Sequence, residues 1–357
     1  MKNISLNLES LASPDGGISR VANLILKFFN ERTKVNNDKI FLNIYRDDIL
    51  QKNNYIKLNK SKFNKKSKFF FVVNNFIHSI KSDYILYDHL GLARTNKFLI
   101  KKKPYIVFLY GIDAWEKENP KRIDAQKKSK LSISISQFTK VKAESIHGKL
   151  KNVKICWLST LYDKINFHKI KNKKKFNFLF LSRLENGKGH YNALNSFKKI
   201  NNKNVNLLIV GRGPEYKNIK KKIKELGLTK NVKLCGFINE KKLNKIWSVT
   251  DVLLMPSRVE GFGLVYIEAM SRGIPIITST QDAGQEINSH GKTGYSVNLD
   301  DKKSDKLFYY MNKIVNNKVL LNRMSKNAKI RWQKNFCYSS FKKRFSKIIN
   351  NFEKEII

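Results

Sequence analysis

The chain has 357 residues, 71 Lys+Arg against 28 Asp+Glu, a formal net charge of +43 and 41% hydrophobic residues. At roughly 100–200 residues per domain this length predicts two domains, and the apolar content, enough for packed cores, excludes wholesale disorder. No run approaches the ~18 apolar residues of a spanning helix, which argues against an integral membrane protein.

The N-terminal residues MKNISLNLES alternate apolar and polar side chains and lack the continuous apolar stretch of a signal peptide. Ile4, Leu6 and Leu8 predict an opening strand. The turn Pro14-Asp15-Gly16-Gly17 follows, and Val21, Leu24, Ile25 and Phe28 then recur at helical spacing. Further strands are expected at Lys39–Ile44, Tyr84–Tyr87, Tyr105–Leu109 and Leu131–Ile135. A second series lies at Phe176–Leu181, Val205–Val210, Val232–Leu234, Val252–Met255 and Ile274–Thr278, with helical stretches between. This alternation predicts α/β architecture with parallel sheets.

The two series are separated by the Lys/Asn-rich stretch 169–175, which has no core-forming pattern and reads as a linker. The expected organisation is an N-terminal Rossmann-like domain over 1–168 and a C-terminal one over 176–335, facing across a cleft. Residues 336–357, with Phe341, Phe345, Ile348, Ile349 and Phe352, predict an amphipathic helix able to pack back across the N-terminal domain. Cys156, Cys235 and Cys337 are odd in number and far apart, so neither a disulfide framework nor a Cys-x-x-Cys metal site is expected. A reducing compartment fits that usage.

The positive charge is carried mostly by lysine and is accompanied by abundant asparagine. Both have A/T-rich codons, so genome base composition with a solvated surface accounts for it first. Attraction to an anionic membrane surface is the second reading. Specific nucleic-acid binding would call for arginine and interleaved aromatics, and is not expected.

The richest segment is Pro256-Ser-Arg-Val-Glu-Gly-Phe-Gly-Leu-Val-Tyr-Ile-Glu-Ala-Met270. A buried strand runs into a glycine-containing loop and a helix, and the free N–H groups at such a helix start can hold a diphosphate. Glu260 in the loop and Glu268 one turn into the helix could meet the two ends of such a ligand. Read alone, the segment also fits a simpler account, in which Glu268 complements the helix dipole and Gly261 and Gly263 shape a turn.

In the context EGFGLVYIEAMSRGIPII, Glu260-x7-Glu268 resembles the signature of retaining glycosyltransferases of family 4, which have the GT-B fold. Leu181-Ser-Arg-Leu-Glu-Asn-Gly-Lys-Gly189, Leu207-Leu-Ile-Val-Gly-Arg-Gly-Pro214, and Gln281–Ile287 with Gly291–Gly294 resemble further segments of that family, in order and with matching spacing. The resemblance implies that Arg183 and Lys188 grip the donor diphosphate. It implies that the N–H groups of Phe262, Gly263 and Leu264 contact donor sugar and phosphate, that Glu268 binds the ribose hydroxyls, and that Glu260 faces the donor sugar.

The N-terminal half resembles the family less closely. Gly16 and Gly17 resemble its glycine-rich first loop, where a missing Cβ lets backbone approach the donor phosphate or the acceptor; a simple tight turn is the other reading. Asp83–Leu90 and Phe108–Trp115 resemble two further loops, but Tyr110 stands where many members place a catalytic His. A tyrosine hydroxyl with a pKa near ~10 is a poor base at neutral pH, which leaves Asp113 and His89 as alternatives for the catalytic role. His89 could equally be a structural histidine and Asp113 a loop cap.

No Asp-x-Asp, zinc-like cluster, nucleophile elbow or Walker loop occurs in the sequence. The expectation is therefore a metal-independent, cofactor-free hexosyltransferase. Its co-substrate would be a UDP- or GDP-linked sugar, and its acceptor a glycan or lipid-linked glycan of surface polysaccharide or lipopolysaccharide synthesis. It would work in the cytoplasm, peripheral to the inner face of the membrane. Three alternatives stand beside it: a transferase with a small soluble acceptor, a non-catalytic nucleotide-sugar or glycan binder, and a polyanion-binding protein.

Overall fold

A computed structural model describes residues 1–12, 16–47, 61–100, 102–117, 119–170, 174–301 and 305–356. Pro14 and Asp15 of the expected turn and residues 171–173 of the expected linker lie outside the described residues. The chain forms two compact units, Met1–Leu161 with Phe341–Ile357, and Tyr162–Ser340.

The first unit contains β1 (Asn3–Leu8), β2 (Lys39–Ile44), β3 (Ser61–Phe63), β4 (Tyr84–Tyr87), β5 (Tyr105–Leu109), β6 (Leu131–Ser134) and β7 (Val153–Ile155) in one parallel sheet of order β3-β2-β1-β4-β5-β6-β7. β4 and β5 are buried along their whole length, as strands covered on both faces must be. The helix Gly17–Asn36 buries Val21, Leu24, Ile25 and Phe28, the predicted face, and stops at Asn37, which takes a left-handed conformation at φ 55°. Along β1, β2 and the loop beyond β3 runs a buried amide ladder: Asn43 Nδ2 donates to Asn7 Oδ1 at 2.8 Å, and Asn64 Nδ2 to Asn43 Oδ1 at 2.7 Å.

The helix Tyr338–Glu355 supplies the rest of this unit's core. Phe341, Phe345, Ile349 and Phe352 are buried, while Ile348 is only half-buried. The Phe345 ring packs 4.6 Å from Phe28 and 5.9 Å from Phe108, centroid to centroid. Glu353 accepts from the Tyr84 hydroxyl at 2.8 Å and pairs with Arg32 at 2.6 Å.

The second unit contains β8 (Phe176–Leu181), β9 (Val205–Val210), β10 (Val232–Gly236), β11 (Val252–Leu254), β12 (Ile276–Ser279) and β13 (Gly294–Val297), a parallel sheet of order β10-β9-β8-β11-β12-β13. β11 stops one residue short of the expected Met255, with proline at 256, and β12 starts at Ile276 rather than Ile274, because Pro275 has no N–H to give a ladder. Beside the expected linker, Ile170 N–H donates to the Ser248 carbonyl at 2.9 Å and Lys169 sits 3.6 Å from Asp251.

Both sheets reverse their strand order once, between β1 and β4 and between β8 and β11. In open parallel sheets the crevice beyond the carboxyl ends of the strands at such a reversal is where ligands bind. The loops after these four strands carry Gly16, His89, Arg183, Lys188 and Glu260.

Candidate functional site

In the second unit the loops after β8 and β11 are joined edge to edge. Arg258 N–H donates to the Gly187 carbonyl at 2.7 Å, and the Ser257 hydroxyl to the same oxygen at 3.3 Å. Gly189, at φ +88°, begins the helix His190–Lys198; a Cβ there would lie 2.0 Å from the Pro256 carbonyl oxygen. That close approach brings Lys188 over the second loop, where its Nζ lies 2.5 Å from Glu260 Oε1, both side chains largely buried. Arg183, in contrast, is mostly exposed and pairs with Glu185 at 2.5 Å. The structure thus brings Lys188 and Glu260 together and leaves Arg183 at the rim.

The helix Leu264–Ser271 starts at Gly263, at φ +83° and with no side-chain cap; in its first turn Tyr266 N–H donates to the Gly263 carbonyl at 2.9 Å, and no side chain covers the N-terminus. Phe262 is buried, with its ring 6.1 Å from that of Phe336. Leu264 and Glu268 are half-buried, and the Glu268 carbonyl accepts from Ser271 Oγ and Arg272 Nη1, both at 2.8 Å. A cation, a carboxylate and an open helix N-terminus together form a setting for a phosphorylated ligand with hydroxyls.

Support for this setting comes from residues that sequence reasoning passed over. The Tyr266 hydroxyl donates to the Met255 carbonyl at 3.0 Å and to Asp282 Oδ2 at 3.2 Å, while Asp282 Oδ1 accepts from Gly284 N–H at 2.7 Å. Ala283 N–H donates to the Glu260 carbonyl at 3.1 Å. Burial, reinforced by the nearby Glu260 charge, pushes the Asp282 carboxyl well above the ordinary range. His190 stacks on Phe180 with centroids 4.4 Å apart, and burial next to Lys188 lowers its pKa to about 4. The signal for Asp282 was legible: an acid three residues past a fully buried strand, in a segment already singled out.

In the first unit, Asp47 shapes the loop after β1 by accepting from Leu11 N–H at 2.7 Å and Ala12 N–H at 3.1 Å. Gly16 caps the helix start in extended conformation, Gly17 opens the helix, and among the described residues a Cβ at Gly16 would meet only an ordinary contact, the Ile18 nitrogen at 3.8 Å. After β4, the buried Asp88 accepts from Glu9 N–H through both oxygens, at 3.1 and 3.0 Å. His89 accepts from Gly91 N–H through Nδ1 at 3.0 Å, so its neutral ring carries the proton on Nε2.

Tyr110, after β5, lies with its ring 6.2 Å from that of His89. Asp113 Oδ1 accepts from the N–H groups of Tyr110 and Gly111, at 3.1 and 2.8 Å. Two buried atoms in this cluster have no partner, the Tyr110 hydroxyl and Asp113 Oδ2. Burial raises the Asp113 carboxyl. It also holds the Tyr110 phenol far above its ordinary range, with the charges of Asp88 and Asp113 adding to the effect. Tyr110 is therefore a donor at neutral pH. Asp88 and Glu9 were missed by sequence reasoning, although Asp88 directly follows an all-buried parallel strand. Among the described residues no group of three or more His, Cys, Asp or Glu is placed to hold a metal ion.

Residues 162–331 match the family described as glycosyl transferases group 1. An uncharacterized 41.2 kDa protein in the cps region of Klebsiella pneumoniae is 36% identical over 129 residues, 36% of this chain and 34% of that protein. The alpha-monoglucosyldiacylglycerol synthase of Acholeplasma laidlawii is 30% identical over 127 residues, 36% of this chain and 31% of the relative. The chain spans about a third of the length of the curated relatives it matches. In fold it is similar to Anabaena HepE in complex with UDP and glucose. The TM-score is 0.79 at 18% identity, over 98% of this chain and all of the other. The α/β units with their parallel sheets are thus those of the GT-B fold.

Proposed function

We propose that this chain, whose residues 162–331 match the group 1 glycosyl transferases, transfers a hexose from a nucleotide diphosphate sugar to a hydroxyl of a glycan or glycolipid. The transfer would retain anomeric configuration, need no metal, and serve surface polysaccharide synthesis at the inner face of the cytoplasmic membrane. The observation that carries this reading is the meeting of Lys188 and Glu260 beside the uncapped N-terminus at Gly263.

The diphosphate lies at the helix N-terminus, against the N–H groups of Phe262, Gly263 and Leu264, with Lys188 and Arg183 offsetting its charge. Glu268 holds the ribose hydroxyls and Glu260 the hydroxyls of the sugar. As the bond from the anomeric carbon to the phosphate oxygen breaks, the acceptor oxygen bonds to that carbon from the same face. The acceptor's proton passes to the departing phosphate. In the first unit Gly16 and Gly17 admit the ligand close to the backbone. Asp113 Oδ2 accepts from a neighbouring sugar hydroxyl, and the His89 Nε2–H and the Tyr110 hydroxyl donate to the acceptor oxygen and orient it.

Calorimetry with UDP, GDP, ADP and their sugars, on wild type and on Lys188→Ala and Glu268→Ala, tests this. Binding of one nucleotide series, weakened in both variants, is expected. Binding of none, or binding indifferent to both substitutions, sinks the donor site.

A further inference from the structure

The helix Lys68–Lys81 of the first unit is apolar where a surface helix is normally polar. Its core side carries Phe71, Asn75, His78 and Ser79, all buried. At 100° per residue, Phe69, Phe70, Val73, Ile77 and Ile80 fall together on the opposite side. They are open to solvent, Phe69 by 72%, Phe70 by 59% and Ile80 by 60%. No charged side chain interrupts that stripe. Phe98, the last residue of the 3-10 turn Arg94–Phe98, and Ile100 beyond it are exposed; the turn is tied to this helix by Asn75 Nδ2 donating to Thr95 Oγ1 at 3.1 Å.

Charge says what covers the stripe. Between Ser61 and Ser82 there are five lysines, Lys62, Lys65, Lys66, Lys68 and Lys81, and no Asp or Glu. All five are exposed, four leading into the helix and one closing it. An apolar stripe between lysine clusters matches a surface whose outside is anionic and whose inside is hydrocarbon. Folded protein surfaces that carry both features in that layering are uncommon, whereas an anionic bilayer has them by construction. No helix among the described residues is long and apolar enough to cross a membrane, so such contact would be in the interface plane.

We propose that the helix Lys68–Lys81 is a membrane-docking element that lies in the interface of an anionic bilayer, with Phe69, Phe70, Val73, Ile77 and Ile80 in the acyl region and the five lysines among the headgroups. This deepens the peripheral location given above and rests on that reading only for where the enzyme works. It does not depend on the donor chemistry.

The test is co-sedimentation of the full chain with vesicles of phosphatidylcholine alone or mixed with phosphatidylglycerol. Wild type is compared with Phe69→Ser/Phe70→Ser/Ile77→Ser, and with Lys62→Gln/Lys65→Gln/Lys66→Gln/Lys68→Gln. Wild type should bind the mixed vesicles and hardly bind the neutral ones. The serine variant should lose at least about tenfold in partitioning, and each lysine removed about fivefold. Phe70→Trp should gain a fluorescence component that lipids brominated on the acyl chain quench. Unchanged melting temperature and unchanged nucleotide binding in the variants show that the fold and donor site are intact, so a failed docking element is distinguishable from a failed donor assignment. Wild-type binding that the serine variant retains in full would show charge-only adsorption and overturn the proposal. Absence of binding to either vesicle would also overturn it and return the stripe to a protein partner.

Discussion

Lys188 Nζ and Glu260 Oε1 lie 2.5 Å apart, although 72 residues separate them in the chain, because Gly189 lets the first loop press against the Pro256 carbonyl of the second. The pair neutralises itself in the absence of ligand. A diphosphate arriving at the helix N-terminus would compete with Glu260 for the ammonium and free that carboxylate for sugar hydroxyls.

Lys188→Ala should therefore cost more than binding. The rate of transfer at saturating donor is expected to fall about a hundredfold, roughly 3 kcal/mol of lost stabilisation of the leaving diphosphate. Steady-state kinetics separates the outcomes: a raised KM with kcat intact would remove Lys188 from the reacting end.

Gly263→Ala tests the loop as structure. At φ +83° an L side chain is strained, and its Cβ would sit 2.3 Å from the Tyr266 ring, so the second unit should lose about 2 kcal/mol by urea denaturation. Gly16→Ala meets no such obstacle and should leave stability within about 0.5 kcal/mol while weakening ligand binding. If both alanines destabilise equally, the glycine at 16 is architectural.

Tyr110→Phe separates fold from function. Removing a buried hydroxyl without a partner should leave the first unit as stable or stabilise it by about 1 kcal/mol. Transfer should nonetheless fall if that hydroxyl donates to the acceptor. A variant that is both stabilised and fully active would exclude the residue from the chemistry.

Asp113 acts as an acceptor in this scheme only when ionised, and burial raises its pKa. Transfer should accordingly rise with pH on an acid limb displaced above the ordinary carboxylate range, and Asp113→Asn should lower the plateau and abolish that limb. A limb unaltered by Asp113→Asn would assign it elsewhere.

His190 predicts a pH dependence of stability. Its folded pKa of about 4 lies below the unfolded value of about 6.5, so its neutral form favours folding. The contribution is complete above about 6.5 and is lost as pH falls from there through about 4. Thermal melts of wild type and His190→Gln across that window should converge as the pH drops. Parallel curves would show that the histidine titrates normally.

Much of this was legible from the sequence because parallel strands buried on both faces write themselves as unbroken apolar runs: Tyr84–Tyr87 and Tyr105–Leu109 appear where the runs do. β3 and β7, three residues each, leave no such trace. The residues proposed to hold the donor lie in glycine-containing loops, and the close backbone approach at Gly189 brings Lys188 to Glu260. Asp88 and Tyr266 were harder, since their roles depend on partners far away in the chain or on a hydroxyl's direction. The partnerless Tyr110 and Asp113 atoms belong to the same class: a substitution is visible in a sequence, an unmade hydrogen bond is not.

The helix Tyr338–Glu355 has a consequence for synthesis. Phe345, Phe352 and Glu353 complete the core of the first unit, yet they leave the ribosome only after all of Tyr162–Ser340 has been made. The usual order of assembly, N-terminal body first, is thereby inverted. The second unit can finish while the first still exposes Phe28, Phe29 and Phe108, so the nascent first half is the part that chaperones must shield. Removing Phe341–Glu355 would take Phe345, Ile349 and Phe352 from the core of the first unit and nothing from Tyr162–Ser340.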